Sequence, residues 1–337
     1  MASDETISAR SVIPFQIESL FPSATTKLAE VINELKALNV TLKCNYCHEC
    51  PVTIEIIERT VELDDVAGDE LSRFRQSMYA YLQLTIKDAA LTPAQFKPRD
   101  PDKKPYTTIF PSGAVHQLAN LTQRICIALA LSHPGVFQAR EGIAYPIDSH
   151  DHTFARHQVE GFISSYELVV EDAQKYNWPP IQKLQIQQTW DWLIENQGFS
   201  NSYGEGALGR AIAAFSHTLS SGNTDEGTLD CIWAFVGLEA IYGRSNIATK
   251  SQILEKTELL LGVPSRDKKR LSRAYDFRSR FLHGDVDFPI RGSGLDAVRY
   301  VSDEHESFVI AAAVLLSTLQ MLILTNRHHV KFEFTLQ

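Results

Sequence analysis

The sequence predicts a mainly α-helical protein, in which an up-and-down four-helix bundle follows an N-terminal domain of mixed α/β structure. Three observations lead to this fold class. Apolar residues repeat at helical spacing almost throughout the chain after Gly206, whereas the first portion mixes helical periods with strand-like alternation. The chain has 337 residues, of which 44% are hydrophobic. About two domains are expected, because single cores seldom grow past roughly 250 residues.

The N-terminal domain is expected to cover residues 13–195, after a polar and acidic stretch, residues 1–12, that is expected to be flexible. A first helix is predicted by apolar residues at helical spacing, namely Leu28, Val31, Ile32, Leu35 and Leu38. A half-buried strand is predicted by the alternation of Val52, Thr53, Ile54, Glu55 and Ile56. Helical spacing then recurs and predicts a second helix, at Leu71, Phe74, Met78 and Leu82.

The remainder of this domain is predicted from punctuating residues and one strong apolar pattern. The charged, proline-rich segment 97–106 predicts a loop, and the pattern over residues 114–131 predicts a helix. Between residues 134 and 177 the signals are weaker and indicate short strands and loops. Pro179 and Pro180 are expected to open the next helix, which continues to Leu193, because proline is tolerated in a first helical turn.

The segment 196–206 is rich in glycine, serine and asparagine and is the predicted domain boundary. The bundle is expected over residues 205–326, followed by a C-terminal tail of residues 327–337. Four long helices and a shorter one are predicted, at residues 208–219, 229–241, 253–260, 266–282 and 303–326. Short connections between these segments are typical of an up-and-down bundle.

The last predicted helix contains an apolar segment, Phe308 to Leu324, that resembles a membrane span. Its 17 residues are at the lower limit for crossing a bilayer, polar residues interrupt it, and the chain has no second such segment. We therefore expect a buried helix and no membrane association. The N-terminus has no apolar segment behind a basic flank, and five cysteines form no disulfide framework. A cytoplasmic location is therefore expected.

The formal net charge of -9 excludes nucleic-acid binding through overall charge, so any such binding needs a local basic patch. One segment of 13 residues provides six positive charges against a single acid, Asp276. Its basic residues are Lys268, Lys269, Arg270, Arg273, Arg278 and Arg280. Such a segment can contact a phosphate backbone, or it can be an ordinary solvated helix face.

The same segment continues to Asp285 as RAYDFRSRFLHGD and combines an arginine, Arg278, with a histidine, His283. Five residues on an ideal helix correspond to about 140° of rotation, so the two side chains cannot converge from the middle of a regular helix. Gly284 offers a solution, because a glycine just after a helix commonly adopts the left-handed cap conformation. His283 is then expected at the end of the helix, where it can meet Arg278 or a symmetry-related copy.

This pair suits RNA cleavage without a metal ion. A histidine with a pKa near the ordinary value of about 6.5 can take a proton from the ribose 2′-hydroxyl or give one to the leaving oxygen. An arginine stays charged and can bind the oxygens of the pentavalent phosphate bidentately as negative charge builds up. In isolation, however, an arginine and a histidine at this spacing are also what a surface arginine and a helix-capping histidine provide.

From Ala207 onward, over about 120 residues, the chain resembles the Apea-like branch of the HEPN superfamily. The resemblance rests on an ordered set of segments: ALGRAIAAFSHTL, the acids Asp225 and Glu226, TLDCIWAFVGLEAIYG with Glu239, SQILEKTELLLG, and then Tyr275, Arg278, His283 and Gly284. It implies a four-helix bundle, a homodimer in which the motifs of two protomers face one cleft, and an endoribonuclease of a defence, toxin or RNA-processing system. Some family members are inactive and serve as binding or dimerisation modules.

Carried over to this sequence, the resemblance implies that Arg278 and His283 are the catalytic pair and that Ser279 is the polar position after the arginine. Glu239 matches the family's acid and would hold Arg278 or His283 in place, although a solvated or capping glutamate is the alternative. The implied partners are RNA, a second copy of the chain and a defence-system protein. No cofactor is implied.

A metal site is a further possibility, because Cys44, Cys47 and Cys50 are spaced as C-x2-C-x2-C with His48 among them. Zinc sites need four ligands, and the remaining cysteines, Cys126 and Cys231, lie in apolar runs that are typical of helix cores. A fourth ligand would have to be His48 or a histidine of the segment DSHDHTFARH, at His150, His152 or His157. Packing or incidental thiols are the alternative.

The sequence thus favours a cytoplasmic, dimeric, metal-independent endoribonuclease whose N-terminal domain senses a trigger, a partner or the RNA. A non-catalytic HEPN module that binds RNA or a nucleotide, or that scaffolds a partner, is the rival hypothesis. A zinc-dependent N-terminal module is a third.

Overall fold

The computed structural model describes residues 6–16, 24–43, 46–58, 80–92, 94–96, 106–108, 111–139, 141–147, 156–161, 166–196, 199, 204–219, 227–243, 249–287 and 298–330. The protein is mostly helical, with a small antiparallel sheet. Its chain forms two compact units, the first from residues 1–126 and 137–161, the second from residues 127–136 and 162–337. The division after residue 161 differs from the expected boundary at 196–206 and assigns two further helices to the C-terminal unit.

The first unit is built on strands β1 Thr6–Gln16, β4 Thr53–Glu58, β5 Ala80–Ala90, β8 Gln138–Ala139, β9 Gly142–Pro146 and β10 His157–Val159. They form an antiparallel sheet in the order β10-β9-β1-β5-β4, and β8 also pairs with β1. Short two-stranded ladders join β2 Thr41–Leu42 to β3 Cys50–Pro51, and β6 Ala94–Phe96 to β7 Tyr106–Thr108. The strand predicted around Ile54 is confirmed as β4.

Two expectations for this unit are wrong. Residues 6–12, expected to be flexible, lie in β1, which pairs with β5 on one side and β9 on the other, and Ala9, Val12 and Ile13 are fully buried. Leu82, expected in a helix, lies in β5; Leu71, Phe74 and Met78 are outside the described residues. The reason is shared, because β1 and β5 are paired across more than 60 intervening residues. Local apolar spacing carries no information on such a distant partner.

Helices α1 Ala24–Ala37 and α2 Pro111–Ser132 confirm two of the predicted helices. The short strands β8, β9 and β10 confirm the mixed pattern expected after residue 134. Helix α3 Tyr166–Tyr176 was not predicted. Its buried residues, Tyr166, Val169 and Ala173, follow helical spacing, so this helix was missed although its period is present in the sequence.

The second unit also contains α4 Ile186–Glu195, α5 Gly206–Leu219, α6 Gly227–Tyr242, α7 Thr249–Leu261, α8 Ser265–His283 and α9 Val298–Leu324. All five helices predicted after Gly206 are therefore present, as α5 to α9. Helix α9 contacts every helix from α3 to α8 and is the central element of this unit. Its side chains from Ser307 to Gln320 are buried without a break.

The polar residues of α9 explain how an apolar helix is held inside a protein. The segment Ser302–Leu324 is long and apolar enough to cross a membrane, but 89% of its most apolar window is buried within the protein. Ser317 donates a hydrogen bond to the carbonyl of Pro180 at 2.8 Å, and Thr318 contacts the hydroxyl of Tyr242 at 2.8 Å. The side chain of Gln320 contacts the backbone of Gln182 through both its oxygen and its nitrogen. These are contacts that a core helix needs, because buried polar groups require partners.

The same contacts correct the prediction for Pro179 and Pro180. Helix α4 begins at Ile186, not at the prolines. The segment before it is extended, and its backbone is bonded by α9 and by the end of α2, where the carbonyl of Ser132 accepts from the N–H of Leu184 at 2.8 Å. Hydrogen-bond partners on α2 and α9 therefore satisfy the backbone of this segment, which does not form the helical turns predicted after the prolines.

Candidate functional site

Helix α8 carries the predicted motif and ends where the sequence predicts. Gly284 adopts the left-handed conformation, with φ 76° and ψ 18°, and its N–H is directed to the carbonyls of Arg280 and Phe281. His283 is consequently the last helical residue, and Arg278 lies about one and a half turns earlier. The left-handed cap predicted at Gly284 is confirmed.

Arg278 contacts the acid that the sequence singled out. Its Nη2 donates a hydrogen bond to Oε2 of Glu239 at 3.1 Å, in an ion pair whose side chains are 17% and 26% exposed. Glu239 lies on α6, close to its C-terminal end. Of the two partners expected for Glu239, Arg278 and His283, the structure shows Arg278; the catalytic role of these residues stays a prediction.

A tyrosine completes the group on α8. The hydroxyl of Tyr275 donates to the second carboxylate oxygen of Glu239, Oε1, at 3.2 Å. Its ring packs edge-on against Phe235, a fully buried residue one turn before Glu239 on α6, with ring centroids 5.3 Å apart. Burial, followed by the negative charge of Glu239, raises the pKa of the Tyr275 hydroxyl. The hydroxyl therefore remains a proton donor to the carboxylate.

The guanidinium of Arg278 is in contact with neighbouring residues, but not all of its N–H groups form hydrogen bonds. It lies 5.6 Å from the centre of the Tyr275 ring. Its Nε is buried and finds no hydrogen-bond partner among the described residues. A buried donor without an acceptor costs about 1–3 kcal/mol. A buried donor without a partner needs an explanation, and a role in a functional site is one such explanation.

His283 and Ser279 lie apart from this group in the single chain. His283 is exposed at the last position of α8. Ser279 is half-buried beside Arg278. Arg278 faces α6, whereas His283 is rotated from it by about 140° around α8. One chain thus brings Glu239, Tyr275 and Arg278 together and leaves the histidine at the surface.

The five residues expected to bind RNA do not form a uniform basic face. Arg270 is 6% exposed and forms ion pairs with Asp172, Asp267 and Glu306, at 2.9, 3.4 and 3.3 Å. Burial opposes its charge, but the hydrogen bond to Asp172 and the neighbouring carboxylates outweigh burial and raise the pKa of Arg270. Its guanidinium also stacks on the ring of Tyr176 at 4.2 Å. Arg270 therefore stabilises the fold and has little freedom to contact RNA.

The other four basic residues are more accessible but partly neutralised. Lys268 pairs with Glu258, Arg273 lies 3.5 Å from Glu306, Arg280 donates to the carbonyl of Asp285, and Lys269 is exposed. Arg273 and Arg280, but not the two lysines, border a groove of about 240 Å³ between α8 and α9. Its charged lining comprises three arginines and three acids, namely Arg270, Arg273, Arg280, Asp276, Asp303 and Glu306. The groove is therefore balanced in charge.

The cysteines give no support for a metal centre within the described part of the chain. Cys47 and Cys50 are buried, and Cys44 lies outside the described residues. No group of three or more potential ligands occurs among the residues that the structure describes. Cys126 and Cys231 are buried in α2 and α6, as expected, and burial raises the pKa of both thiols.

Of the other candidate ligands, His150 and His152 are outside the described residues. His157 lies on β10, where its ring centre is 4.9 Å from that of His116 on α2. The sequence did not predict this ring contact, because 41 positions separate the two residues. Tyr275 was also missed as a site residue, although its position three residues before Arg278 places it on the same helix face.

Comparison with protein-family models, with curated proteins and with solved structures gave no match for this chain. The interpretation of the site consequently depends on the residues and contacts described above. The Glu239, Tyr275 and Arg278 group, together with the capped helix end at His283, is the strongest candidate among the described residues.

Proposed function

We propose that this protein is a metal-independent endoribonuclease of the HEPN type. The observation that carries the proposal is the arrangement on α8, where Arg278 is ion-paired with Glu239 and His283 lies exposed at a helix end capped by Gly284. An oriented arginine and an accessible histidine are the two groups that such a reaction needs. The resemblance of the sequence after Ala207 to the HEPN superfamily supports the same proposal.

In the proposed reaction His283 takes the proton from a ribose 2′-hydroxyl, and the 2′-oxygen attacks the adjacent phosphorus. The bond to the 5′-oxygen of the next nucleotide breaks, and that oxygen receives a proton from a histidinium. The products are a 2′,3′-cyclic phosphate and a 5′-hydroxyl. Arg278 stabilises the charge on the phosphate oxygens, Glu239 orients Arg278, and Ser279 supplies a polar group beside it.

The active species we propose is a homodimer. Because Arg278 and His283 diverge on one helix, a second copy of α8 would bring the histidine of one protomer to the arginine of the other. RNA, a cytoplasmic location and a role in phage defence or a toxin-like system are parts of the same proposal, as is a defence-system partner. The first unit would serve as the regulatory part.

The test is incubation of the purified full-length protein with total RNA in EDTA, beside the variants His283→Ala and His329→Ala. His329 is also an exposed histidine of the second unit and serves as the matched control. We expect cleavage by the wild type and by His329→Ala, with 2′,3′-cyclic phosphate ends, and none by His283→Ala. Equal activity of the His283→Ala variant would exclude this mechanism.

The second candidate function is a non-catalytic module that binds RNA or scaffolds a partner, and one specific observation favours its scaffolding form. The basic residues of α8 are largely paired with acids, and Arg270 is buried. Such an arrangement keeps a helix folded without requiring catalysis. RNA binding without any cleavage, unchanged in His283→Ala, would support this second candidate over the nuclease.

A further inference from the structure

Arg278 is linked to the rest of the second unit through a carboxylate that is itself bonded at both oxygens. Oε2 of Glu239 accepts from Arg278 at 3.1 Å, and Oε1 accepts from the hydroxyl of Tyr275 at 3.2 Å. A glutamate side chain has several rotatable bonds, and holding it in one orientation opposes considerable rotamer entropy. Two donors on two different oxygens define that orientation better than one.

The ring of Tyr275 is itself fixed. It packs edge-on against Phe235, at an angle of 87° between ring planes, and Phe235 has no exposed surface. Phe235 and Glu239 lie one turn apart on α6, while Tyr275 and Arg278 lie one turn apart on α8. The two helices therefore present a matched pair of ring and charged group to each other.

The geometry of Arg278 shows that the arginine itself does not fix this arrangement. Among the described residues, its guanidinium donates a hydrogen bond only to Glu239, through Nη2, and its buried Nε finds no acceptor. An arginine that binds a carboxylate through a single N–H can rotate about that contact, because the rigid two-point geometry is absent. Its direction must then come from the orientation of Glu239.

We propose that Tyr275 is a positioning residue that sets the direction of Arg278 through Glu239, so that the Nη N–H groups that Glu239 leaves unbonded meet the phosphate of the RNA. The inference rests on the proposed nuclease function and assigns Tyr275 no contact with the substrate. The hydroxyl acts on Arg278 indirectly, because it fixes the position of Oε1 of Glu239. A hydrogen-bond donor whose position fits the transition state better than the bound substrate affects kcat more than KM.

The experiment compares full-length wild type with Tyr275→Phe, Glu239→Gln and the double variant in RNA cleavage over a range of substrate concentrations. We expect kcat of Tyr275→Phe to fall by about 10-fold, the size of effect when a hydrogen bond to a charged group is lost. KM should change little. The double variant should be no slower than Glu239→Gln alone, because both changes disrupt one linked group.

The matched control is Tyr166→Phe, which removes a hydroxyl bonded to Thr218 at 2.8 Å in the same unit. It should lower Tm but leave kcat unchanged. If the wild type cleaves RNA and Tyr275→Phe has the same kcat, this inference alone is overturned. Losses of kcat that add up in the double variant would overturn it as well. Absence of His283-dependent cleavage in the wild type would overturn both this inference and the proposed function.

Discussion

At the scale of single residues, Arg270 shows how a basic residue in a basic segment can belong to the fold. Its guanidinium contacts Asp172 of α3, Asp267 of its own helix and Glu306 of α9. It therefore joins three helices through charge-assisted hydrogen bonds. Removing one partner of such a buried group is strongly destabilising, because the remaining charges lose their compensation.

We therefore expect Arg270→Ala to lower the free energy of unfolding by about 3 kcal/mol. Urea unfolding followed by circular dichroism measures this change. The control is Lys269→Ala, because Lys269 is the exposed neighbour and surface changes usually stay within about 0.5 kcal/mol. An Arg270→Ala variant as stable as the control would show that the three ion pairs contribute nothing.

Residue-scale patterns were also where the sequence was most informative about the site. The left-handed cap at Gly284 was predictable, because glycine after a helix has one dominant use. A partner for Glu239 was predictable, because an acid inside an apolar helix face needs one, but the sequence left open whether Arg278 or His283 would be that partner. The burial of Arg270 was not predictable, because its partner Asp172 lies 98 residues away on a helix that the sequence did not reveal.

At the scale of elements, the helices after Gly206 were predictable and the first sheet was only partly so. A helix makes its backbone hydrogen bonds within one segment, so the apolar period of that segment is enough to predict it. A strand depends on a partner, and β1 and β5 pair from Thr6 with Ala90 to Phe15 with Ala80. The same reasoning explains the late start of α4, whose preceding segment is bonded by Ser317 and Gln320 of α9.

Gln320 provides a test of how α9 is held. Its side chain donates to the carbonyls of Leu131 and Gln182 and accepts from the N–H of Gln182. We expect Gln320→Leu to lower the free energy of unfolding by about 3 kcal/mol, because unsatisfied buried groups remain behind. Gln188→Leu, at an exposed position of α4, is the control in the same unfolding assay. A Gln320→Leu variant more stable than the wild type would contradict this account.

The contact between β10 and α2 is expected to make the stability of the first unit depend on pH. Burial, and then the charge of His116, lower the pKa of His157, although a hydrogen bond with the backbone of Ser112 opposes them. The folded state therefore binds fewer protons than the unfolded state. The contribution of His157 to stability is present above the ordinary histidine pKa of about 6.5 and is lost as the pH falls below it.

Two measurements check this prediction. The ring signals of His157 in NMR spectra should titrate below pH 6.5, and His157→Gln should reduce the loss of unfolding free energy between pH 7 and pH 5. Gln cannot take up the proton but keeps polar groups at the position. An unchanged pH dependence in the variant would show that another group is responsible.

At the scale of the whole molecule, the question is whether one chain contains a complete site. Glu239, Tyr275 and Arg278 are assembled within the second unit, whereas His283 is exposed and rotated from Arg278 by about 140°. If the proposed nuclease is a dimer with Arg278 of one protomer facing His283 of the other, two inactive variants can complement each other.

We therefore expect a mixture of Arg278→Ala and His283→Ala, allowed to exchange subunits, to regain roughly a quarter of wild-type activity. Random exchange makes about half of the dimers mixed, and each mixed dimer has one intact site and one doubly altered site. The control is each variant mixed with itself, which should stay inactive. A mixture that remains inactive after verified exchange would place both residues in the site of a single protomer, and α8 would then have to bend at its end for His283 to reach Arg278.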